Sequence, residues 1–500
     1  MFSVFTKIGL ISFCIIASSS PGYGQFNNNY TPLKTYNALT GKPIIEVLRV
    51  QQQEELKRLP VSARREAGMI YRARTAYLTE LIRKGGVIHD DSLHTVLQHI
   101  MNRITTGNQL QRKPNLLLIL KDPSVNAYCY GEGTFAVTVG LLSKIKTPDE
   151  LAFTLAHELA HYELDHVMKR VLKQVESDYF KNTQAGLAKI FLEDITLEDV
   201  NKLRKLVYEG SRYSRAHELE ADSLGLKLLL KAGFNRSGAL GALNVLDSAD
   251  RMKYVFNERL FEPFYTSKYP FQEAWLNKRL SIYSKRPENL FIFSMDSIQT
   301  HPDIEYRMKA LSSDTDTVSE TIQSLLPYQA INRLIKQSEF ERVVSAYFNK
   351  QADLTLGLAL ELMQFYPNNS YLISIISRTF IELIESKGQP VPSIYLPTYT
   401  INYDEQLKLV NNFLHNMNTQ EMGEVAFNFL NNQQRFNADN EEQYYLLWKI
   451  CGLTYRNQVQ KRIKDVYKAR FSDGRYYSLM REGLTLSQAL SILSMPIKQN

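Results

Sequence analysis

The sequence predicts a mostly α-helical protein with one small β-sheet, followed by an all-α C-terminal region. Only residues 115–142 combine β-branched runs with glycine turns, which is typical of strands. Most of the remaining chain has long stretches without Gly or Pro, and beyond about residue 320 the pattern is almost wholly helical. The 500 residues, 44% of them hydrophobic, are enough for two or three domains with large cores. We therefore divide the chain into residues 1–24, 25–320 and 321–500.

The charge and hydropathy of the chain exclude several classes of protein. Lys and Arg exceed Asp and Glu by 59 to 52, and the resulting net charge of +7 is small for this length. No nucleic-acid partner is therefore indicated. After residue 20, no apolar run approaches the ~20 residues that cross a bilayer, so an integral membrane protein is not expected.

The first 24 residues are typical of a cleaved signal peptide. Lys7 supplies the positive charge, and the apolar run from Ile8 to Ala17 follows it. Small residues up to Gly24 suit a cut that leaves Gln25 as the mature N-terminus. A short buried helix is the alternative interpretation. The signal peptide predicts a periplasmic or otherwise exported protein.

Two cysteines remain after such a cut, Cys129 and Cys451. One pair is too few for a disulfide framework, even in an exported protein. We expect two buried, unpaired thiols. A bridge between the two cysteines is the alternative.

Residues 40–105 are predicted to be helical. Gly85-Gly86 interrupts this stretch, and Asp90 or Asp91 can cap the helix that follows. The start of the mature chain is therefore expected to form a helical layer before the strands begin.

Two strands and two long helices are expected next. The strands run from Asn115 to Leu120 and from Thr134 to Val139. The first helix has Thr147 as its N-cap and continues from Leu151 to Arg170 without Gly or Pro. The second helix runs from about Tyr213 to Lys231.

The C-terminal region contains one recognisable repeat-like unit. Gly357 to Glu385 has two apolar helical stretches on either side of a Pro-Asn-Asn turn, which suggests a tetratricopeptide-like repeat. Gln389 to Thr398 contains Pro and breaks the region, and residues 404–490 are helical again. An ordinary helical bundle is the alternative to a repeat.

The first long helix carries a metal-binding motif, His157-Glu158-Leu159-Ala160-His161. Residues four apart lie on the same helix face, so the imidazoles of His157 and His161 can bind one Zn²⁺. Glu158 is rotated by about 100° from His157, which lets it reach the attacking water rather than the metal. The motif therefore predicts metal-assisted hydrolysis with Glu158 as the general base.

A catalytic metal site of this kind needs a third protein ligand. The position at which metzincins carry a third His is Val167. His166 lies about 140° round the helix from His161, so we expect it on the helix face or behind a ligand. Glu218 and Asp222 lie four residues apart on the second helix. One carboxylate can bind the metal while the other accepts the N–H of a ligand His.

Four blocks of the sequence resemble the gluzincin metallopeptidase family that includes the heat-shock protease HtpX and the CAAX prenyl proteases (peptidase family forty-eight). The resemblance covers roughly residues 40 to 320. His157 to His161 matches the zinc motif and Ser214 to Gly225 the third-ligand motif, and both are highly specific. The other two blocks are moderately specific: Asn126 to Leu142, a strand-turn-strand, and His301-Pro302 with Arg307 and Leu311.

The resemblance implies a zincin-like α+β metallopeptidase domain that holds one zinc ion per chain. It assigns His157, His161 and Glu218 as the zinc ligands and Glu158 as the catalytic base. Asp222 would support a ligand from behind.

The resemblance also implies residues that contact the substrate. His301 and Arg307 would lie near the open metal position and stabilise an oxyanion. A helix-capping role is the alternative for His301. The strand at Thr134 to Val139 would offer its edge to an extended peptide by β-augmentation, through Thr134, Ala136 and Thr138.

Two functions remain open at this point. The resemblance, the signal peptide and the helical C-terminal region indicate an exported zinc endopeptidase that removes misfolded or stalled envelope proteins. Its substrates would be polypeptides, and its partner would be the outer-membrane assembly machinery, contacted through the C-terminal helices. The alternative is a chaperone or scaffold that acts through those helices with little proteolysis.

Overall fold

The computed structural model describes residues 25–110, 112–176, 215–254, 259–276, 304–313, 328–387, 396, 404–481 and 483–494. Their secondary structure is mostly helical, with one three-stranded sheet, as the sequence predicts. The predicted signal peptide and His301 lie outside the described residues. Among those residues, no helix has both the length and the apolar composition needed to cross a membrane.

The described residues up to Thr138 form four α-helices and the sheet. The helices are α1 (Gln25–Asn28), α2 (Lys42–Arg58), α3 (Arg64–Arg83) and α4 (Asp91–Gly107), and the strands are β1 (Leu116–Leu120), β2 (Ala127–Gly131) and β3 (Thr134–Thr138). The predicted cap of α4 is confirmed, because the Asp90 side chain accepts a hydrogen bond from the Leu93 amide at 3.0 Å.

Six α-helices follow the sheet within the described residues from 139 to 313. They are α5 (Val139–Lys144), α6 (Pro148–Glu163), α7 (His166–Val175), α8 (Arg215–Lys231), α9 (Ser237–Asp247) and α10 (Ile304–Ser313). The expectation of one helix from Leu151 to Arg170 is wrong. The helix is interrupted at Leu164 and Asp165, and Asp165 adopts a left-handed conformation with φ of 54°.

The C-terminal region is a succession of helices, as predicted. They are α11 (Tyr328–Phe348), α12 (Ala352–Met363), α13 (Ser370–Ser386), α14 (Glu405–Asn416), α15 (Thr419–Leu430), α16 (Glu441–Leu453), α17 (Asn457–Arg470) and α18 (Leu486–Ser494). Helices α12 and α13 lie on either side of the predicted Pro-Asn-Asn turn, and each helix from α11 to α13 packs against the next. Of the predicted break from Gln389 to Thr398, only Leu396 is described.

The sheet has the strand order β1-β3-β2, with β1 parallel and β2 antiparallel to β3. The strand from Thr134 to Thr138 is therefore central, and both of its edges are paired. This arrangement contradicts the prediction that Thr134, Ala136 and Thr138 offer a free edge to a substrate, because all three are buried within the sheet. The Thr134 hydroxyl instead donates to Gln51 Oε1 at 2.7 Å, and the Thr138 hydroxyl accepts from the Leu141 amide and caps α5.

Three buried clusters make up the described core. The side chains of β1 and β3 alternate between the cluster on the α4, α6 and α8 side of the sheet and the cluster on the α2, α3 and α7 side. A third cluster joins the C-terminal helices to Phe26, Tyr30 and residues 260–275. Helix α11 contributes Ile331 and Leu334 to the first cluster and Phe340 to the third. Among the described residues, the packing is therefore continuous across α11. Residue 320 lies outside them, and the boundary there stays a prediction.

The N-terminal segment is bound to the C-terminal helices by specific contacts. Phe26 and Tyr30 stack on Phe340, with ring centroids 5.4 and 4.6 Å away. The Tyr30 hydroxyl donates to Glu341 at 2.6 Å, and the Asn369 side chain donates to the Phe26 carbonyl at 2.6 Å. The N-terminal segment is thus packed against α11 and the start of α13.

Candidate metal centre

The metal motif lies on α6, whose start is fixed by its own sequence. The Thr147 hydroxyl accepts a hydrogen bond from the Glu150 amide at 3.2 Å, and Pro148 occupies the first helical position. This confirms the cap predicted from the sequence. The helix is buried along most of its length, so His157, Glu158 and His161 lie within the protein and not on a solvated face.

Helix α8 approaches α6 closely because Gly225 has no side chain. A Cβ atom at this position would lie 3.1 Å from the Cα atom of His157, which is tighter than ordinary van der Waals contact. The close approach brings the two carboxylates predicted on α8, Glu218 and Asp222, against the motif on α6. Both carboxylates are almost fully buried.

The side chains of His157, His161 and Glu218 converge on one point. The two Nε2 atoms lie 3.0 Å apart, and each lies 3.6 Å from an oxygen of Glu218. One ligand atom from each of the three residues lies within 4.8 Å of the others. The structure thus brings together the three ligands predicted from the sequence, although each comes from a different turn or helix.

The three donors fit a bound divalent metal ion. Two imidazoles and one carboxylate are a donor set that zinc uses in catalytic sites. Tetrahedral coordination at the usual Zn–N distance places two ligand nitrogens about 3.3 Å apart, close to the 3.0 Å seen between the two Nε2 atoms. His157, His161 and Glu218 are therefore the residues that would hold the metal, with their donor atoms already converged.

The far side of His157 is held by Asp222, as the sequence suggested for one of the two carboxylates. His157 Nδ1 lies 3.0 Å from Asp222 Oδ1. Burial disfavours the charged imidazole, but the Asp222 and Glu218 carboxylates outweigh it and raise the pKa of His157. Burial likewise disfavours the charged carboxylate, but hydrogen bonds from Arg307 and His157 lower the pKa of Asp222 to about 2.

Arg307 reaches this site from α10 and contacts both carboxylates. Its Nε and Nη2 atoms each donate to Asp222 at 2.7 Å, and Nη1 lies 3.0 Å from Glu218. The guanidinium is therefore engaged by the two carboxylates. These contacts make Arg307 an anchor for a ligand and its neighbour, and its place near the open metal position stays a prediction.

The far side of His161 carries His166, which the sequence predicts on the helix face or behind a ligand, together with Glu220 and His217, for which the sequence indicated no role. His161 Nδ1 lies 2.9 Å from His166 Nδ1, and His166 Nε2 lies 3.0 Å from Glu220 Oε2. The His217 ring stacks on His166 with centroids 4.2 Å apart. An unbroken helix would have directed His166 away from His161. The density of His and Glu in the two motifs was the available signal, but the helix break was not visible in the sequence.

The two cysteines are unpaired and buried, which confirms that prediction. Burial is the main cause that raises the pKa of the Cys129 thiol to about 12, and the Glu158 carboxylate adds to it. Neither Cys129 nor Cys451 is therefore a thiolate at neutral pH.

Comparison with known proteins agrees with this geometry. Residues 89–315 match the model of Peptidase family M48. This confirms the family resemblance predicted from the sequence, and the match contains all the residues of the metal centre described above.

Curated relatives carry related names. A protein of Vibrio cholerae provisionally named beta-barrel assembly-enhancing protease is 28% identical over 166 residues, which are 32% of this chain and 34% of the relative. The mitochondrial metalloendopeptidase OMA1 of Arabidopsis thaliana is 29% identical over 119 residues, 24% of this chain and 23% of the relative. The beta-barrel assembly-enhancing protease of Yersinia pestis is 20% identical over 319 residues, 62% of this chain and 63% of the relative.

The chain spans between about a quarter and just under two thirds of the length of these relatives. Their names support the predicted class, a metalloprotease.

Proposed function

Because residues 89–315 match a peptidase family and contain a converged donor set, we propose that the protein is a zinc-dependent endopeptidase with one zinc ion per chain. The observation that carries the proposal is the convergence of His157, His161 and Glu218. Zinc, when bound, supplies a Lewis acid that polarises a peptide carbonyl and makes a nearby water more acidic.

Glu158 is the residue that would accept the proton of the attacking water. It follows His157 directly, so its side chain is rotated by about 100° from the ligand face of the helix. It is buried at 4% exposure, in surroundings that strengthen its interaction with a proton donor. After the attack, the same carboxyl group can deliver the proton to the leaving amine.

The remaining residues of the site keep the ligands in place. Arg307 fixes Asp222 and Glu218 by three contacts of 3.0 Å or less. Asp222 in turn fixes the ring of His157 at Nδ1. Such support behind a ligand typically changes metal affinity or activity by about 10–100-fold when it is lost.

We place the extended substrate along β2 and not along the central strand. Strand β2 is an outer strand of the sheet and packs against α6. The other outer strand, β1, is bridged to residues 86–88, because Ile88 N donates to Ile119 O at 2.9 Å and Lys121 N donates to Gly86 O at 2.9 Å. Among the described strands, β2 is therefore the better candidate to accept a peptide by β-augmentation.

We further propose export and a role in envelope protein quality control. The predicted signal peptide supports export. The names of the Vibrio and Yersinia relatives support a role in the assembly of β-barrel proteins, with the outer-membrane assembly machinery as a partner. Helix α12 packs against α13 and α14, and α13 packs against α15, which supports a tetratricopeptide-like surface for that partner.

Glu158→Gln tests the proposed reaction. Gln keeps the size of the side chain but cannot accept a proton, so peptide hydrolysis should fall by about 10²–10⁴-fold while zinc stays bound. The measurement is cleavage of an unfolded protein such as casein, together with metal analysis of the purified protein. Glu163→Gln is a matched control, since Glu163 lies on the same helix outside the donor set.

The wild-type activity must be lost in the presence of a chelator, which excludes contaminating proteases of other classes. Cleavage by the Glu158→Gln protein at the wild-type rate would overturn the mechanism. A Glu158→Gln protein that retains its biological effect would favour the chaperone or scaffold function instead.

A further inference from the structure

The two ligand imidazoles are supported from behind in different ways. His157 Nδ1 contacts the carboxylate of Asp222 directly, at 3.0 Å. His161 Nδ1 contacts a second imidazole, that of His166, at 2.9 Å. A carboxylate is the usual partner of a ligand His, and it fixes both the ring orientation and the tautomer.

A carboxylate is present behind His161 as well, one residue further out. His166 Nε2 lies 3.0 Å from Glu220 Oε2. The His166 side chain is fully buried, whereas the Glu220 side chain is 56% exposed. The ring of His217 stacks on His166 with an interplanar angle of 18°, which restricts the plane of that ring. His161, His166 and Glu220 thus form a continuous line from the metal centre to the solvent.

One arrangement of hydrogens satisfies every contact along this line. If His161 offers Nε2 to the metal, its single hydrogen is on Nδ1. It then donates to Nδ1 of His166, so the hydrogen of His166 is on Nε2 and is donated to Glu220. Each contact has one donor and one acceptor, and both imidazoles are neutral.

The helix break at Asp165 makes this line possible. In an unbroken helix His166 would lie about 140° round the axis from His161. Arg58 Nη2 and Arg112 Nη1 each lie 2.7 Å from Asp165 Oδ1, and they hold the left-handed residue in place. Because the helix is interrupted here, the His166 ring lies on the Nδ1 side of His161, away from the metal-binding Nε2 atom.

We propose that His166 is a positioning residue for the metal ligand His161, and that Glu220 acts on the ligand through His166. The proposal rests on the proposed function, since it takes His161 as a ligand. His161, the second histidine of the metal motif, is thus supported by a chain of hydrogen bonds that runs through His166 to Glu220 at the protein surface. The ligand strength of His161 therefore depends on a carboxylate that solvent and solutes can reach.

The test is the metal affinity of the full chain, measured by competition with a chromophoric zinc chelator. His166→Phe keeps an aromatic ring in the stack with His217 but removes both hydrogen bonds, and zinc affinity should fall by about 10–100-fold. Glu220→Gln should produce a smaller loss. In the His166→Phe background, Glu220→Gln should cause no further loss, because its only route to His161 in this proposal is the His166 ring.

His99→Phe is the matched control, since His99 is exposed on α4 and should leave zinc affinity unchanged. Unfolding midpoints of the zinc-free proteins separate a local effect on the ligand from a general loss of stability. Zinc affinity of His166→Phe within about twofold of wild type would overturn the proposal. An equal effect of Glu220→Gln in both backgrounds would also overturn it.

If His166→Phe does not fold, Glu220→Gln decides alone, because Glu220 is a surface residue. Unchanged zinc affinity in Glu220→Gln would then contradict the proposal. His161→Ala distinguishes the proposal from the function on which it rests. Retention of zinc by His161→Ala would overturn the ligand assignment itself, whereas loss of zinc leaves the question to His166 and Glu220.

Discussion

The metal centre and the C-terminal helices bury ionisable side chains in opposite ways. In the metal centre, the Nε2 atoms of His157 and His161 face each other at 3.0 Å with Glu218 beside them. In the helical region, the Glu382 carboxylate accepts a hydrogen bond from the Tyr347 hydroxyl at 2.6 Å and forms an ion pair with Lys350 Nζ at 3.1 Å. In the metal centre, two imidazole nitrogens and a carboxylate point at one another. In the helical region, the buried carboxylate is surrounded by side chains that donate to it.

Other buried carboxylates of the helical region are paired with donors in the same way. Glu341 accepts from the Tyr30 hydroxyl and the Leu33 amide, and Asp353 accepts from the Asn411 side chain at 2.6 Å. Burial of charge alone therefore does not identify a functional site in this protein. The convergence of two imidazole nitrogens and one carboxylate on one point identifies it, because this is a donor set that zinc uses in catalytic sites.

The largest effect on the stability of the metal centre is expected from Arg307→Met. It leaves the buried carboxylates of Asp222 and Glu218 without their cation, and breaking a buried pair in this way typically costs about 3–5 kcal/mol. The free energy of unfolding of the zinc-free protein should fall by that amount. In the presence of zinc, the loss in the free energy of unfolding should be smaller, because the metal ion also compensates the negative charge of Glu218.

Arg307→Lys is the conservative comparison. It should restore only part of the stability, because Lys cannot donate to a carboxylate in the bidentate geometry of Arg. Denaturant unfolding in chelator and in zinc measures both variants. Unchanged stability of Arg307→Met in both buffers would show that Arg307 does not compensate these carboxylates.

Zinc should stabilise the folded protein through the metal centre alone. At about 100 to 1,000 times the dissociation constant, a ligand that binds only the folded state adds about 2.7–4.1 kcal/mol. The gain should disappear in a His157→Ala, His161→Ala double variant and persist in Glu382→Gln, whose carboxylate belongs to the helical region. Thermal unfolding with and without zinc provides the measurement. An equal gain in the double variant would mean that zinc binds elsewhere.

Glu132 sharpens the comparison, because it is a buried carboxylate of the peptidase region outside the metal centre. Burial raises the pKa of Glu132 to about 8, although Arg74 opposes the shift from a distance of 3.8 Å. Its ordinary pKa is 4.5, so between these values the folded state keeps a proton that the unfolded state has lost. The stabilising contribution is present below pH 4.5 and is lost as the pH rises through 8.

The stability of wild-type protein should therefore decline between about pH 4.5 and 8, by up to about 1.4 kcal/mol per pH unit from this group. Glu132→Gln should remove this part of the slope, while Glu54→Gln, at an exposed position of α2, should keep it. Urea unfolding at several pH values compares the three proteins. Parallel slopes for wild type and Glu132→Gln would contradict the raised pKa.

The smallest expected effect lies in the helical region. Asn418 caps α15, and the Asn418 side chain and Glu421 form a reciprocal capping box. Asn418→Ala should reduce the free energy of unfolding by about 1 kcal/mol. Zinc affinity should not change, because no donor of the metal centre lies on this helix. A change in zinc affinity would show that the two regions are more tightly coupled than their contacts suggest.

Local sequence signals predicted the parts of the molecule that local physics determines. The Thr147 cap and the four-residue spacing of His157 and His161 depend on one helix, and both are found as expected. Glu218 was identified because its motif also has helical spacing. The central place of the strand from Thr134 to Thr138 could not be deduced, because strand order is set by pairing across the sheet and not by neighbours in sequence.

The helix break at Asp165 illustrates the same limit. The sequence there contains neither Gly nor Pro, and the low helix propensity of a single Asp is too weak a signal to predict an end. The left-handed residue is stabilised by Arg58 and Arg112, which are 107 and 53 residues away in sequence. A contact of this kind overrides local preference and cannot be read from a window around the break. Without the break, the sequence could not decide between the two predicted places of His166, on the helix face or behind a ligand.

The docking of the N-terminal segment has a consequence for biosynthesis. The contact between Phe26 and Asn369 joins residues that are 343 positions apart, and the contact between Tyr30 and Glu341 joins residues 311 apart. Neither can form until the ribosome has made most of the chain. Closing a loop of this length also carries a large entropic cost and slows folding. The segment that carries Phe26 and Tyr30 is thus made early and reaches its native place late, and until then the ring of Phe340 lacks the two rings that stack on it.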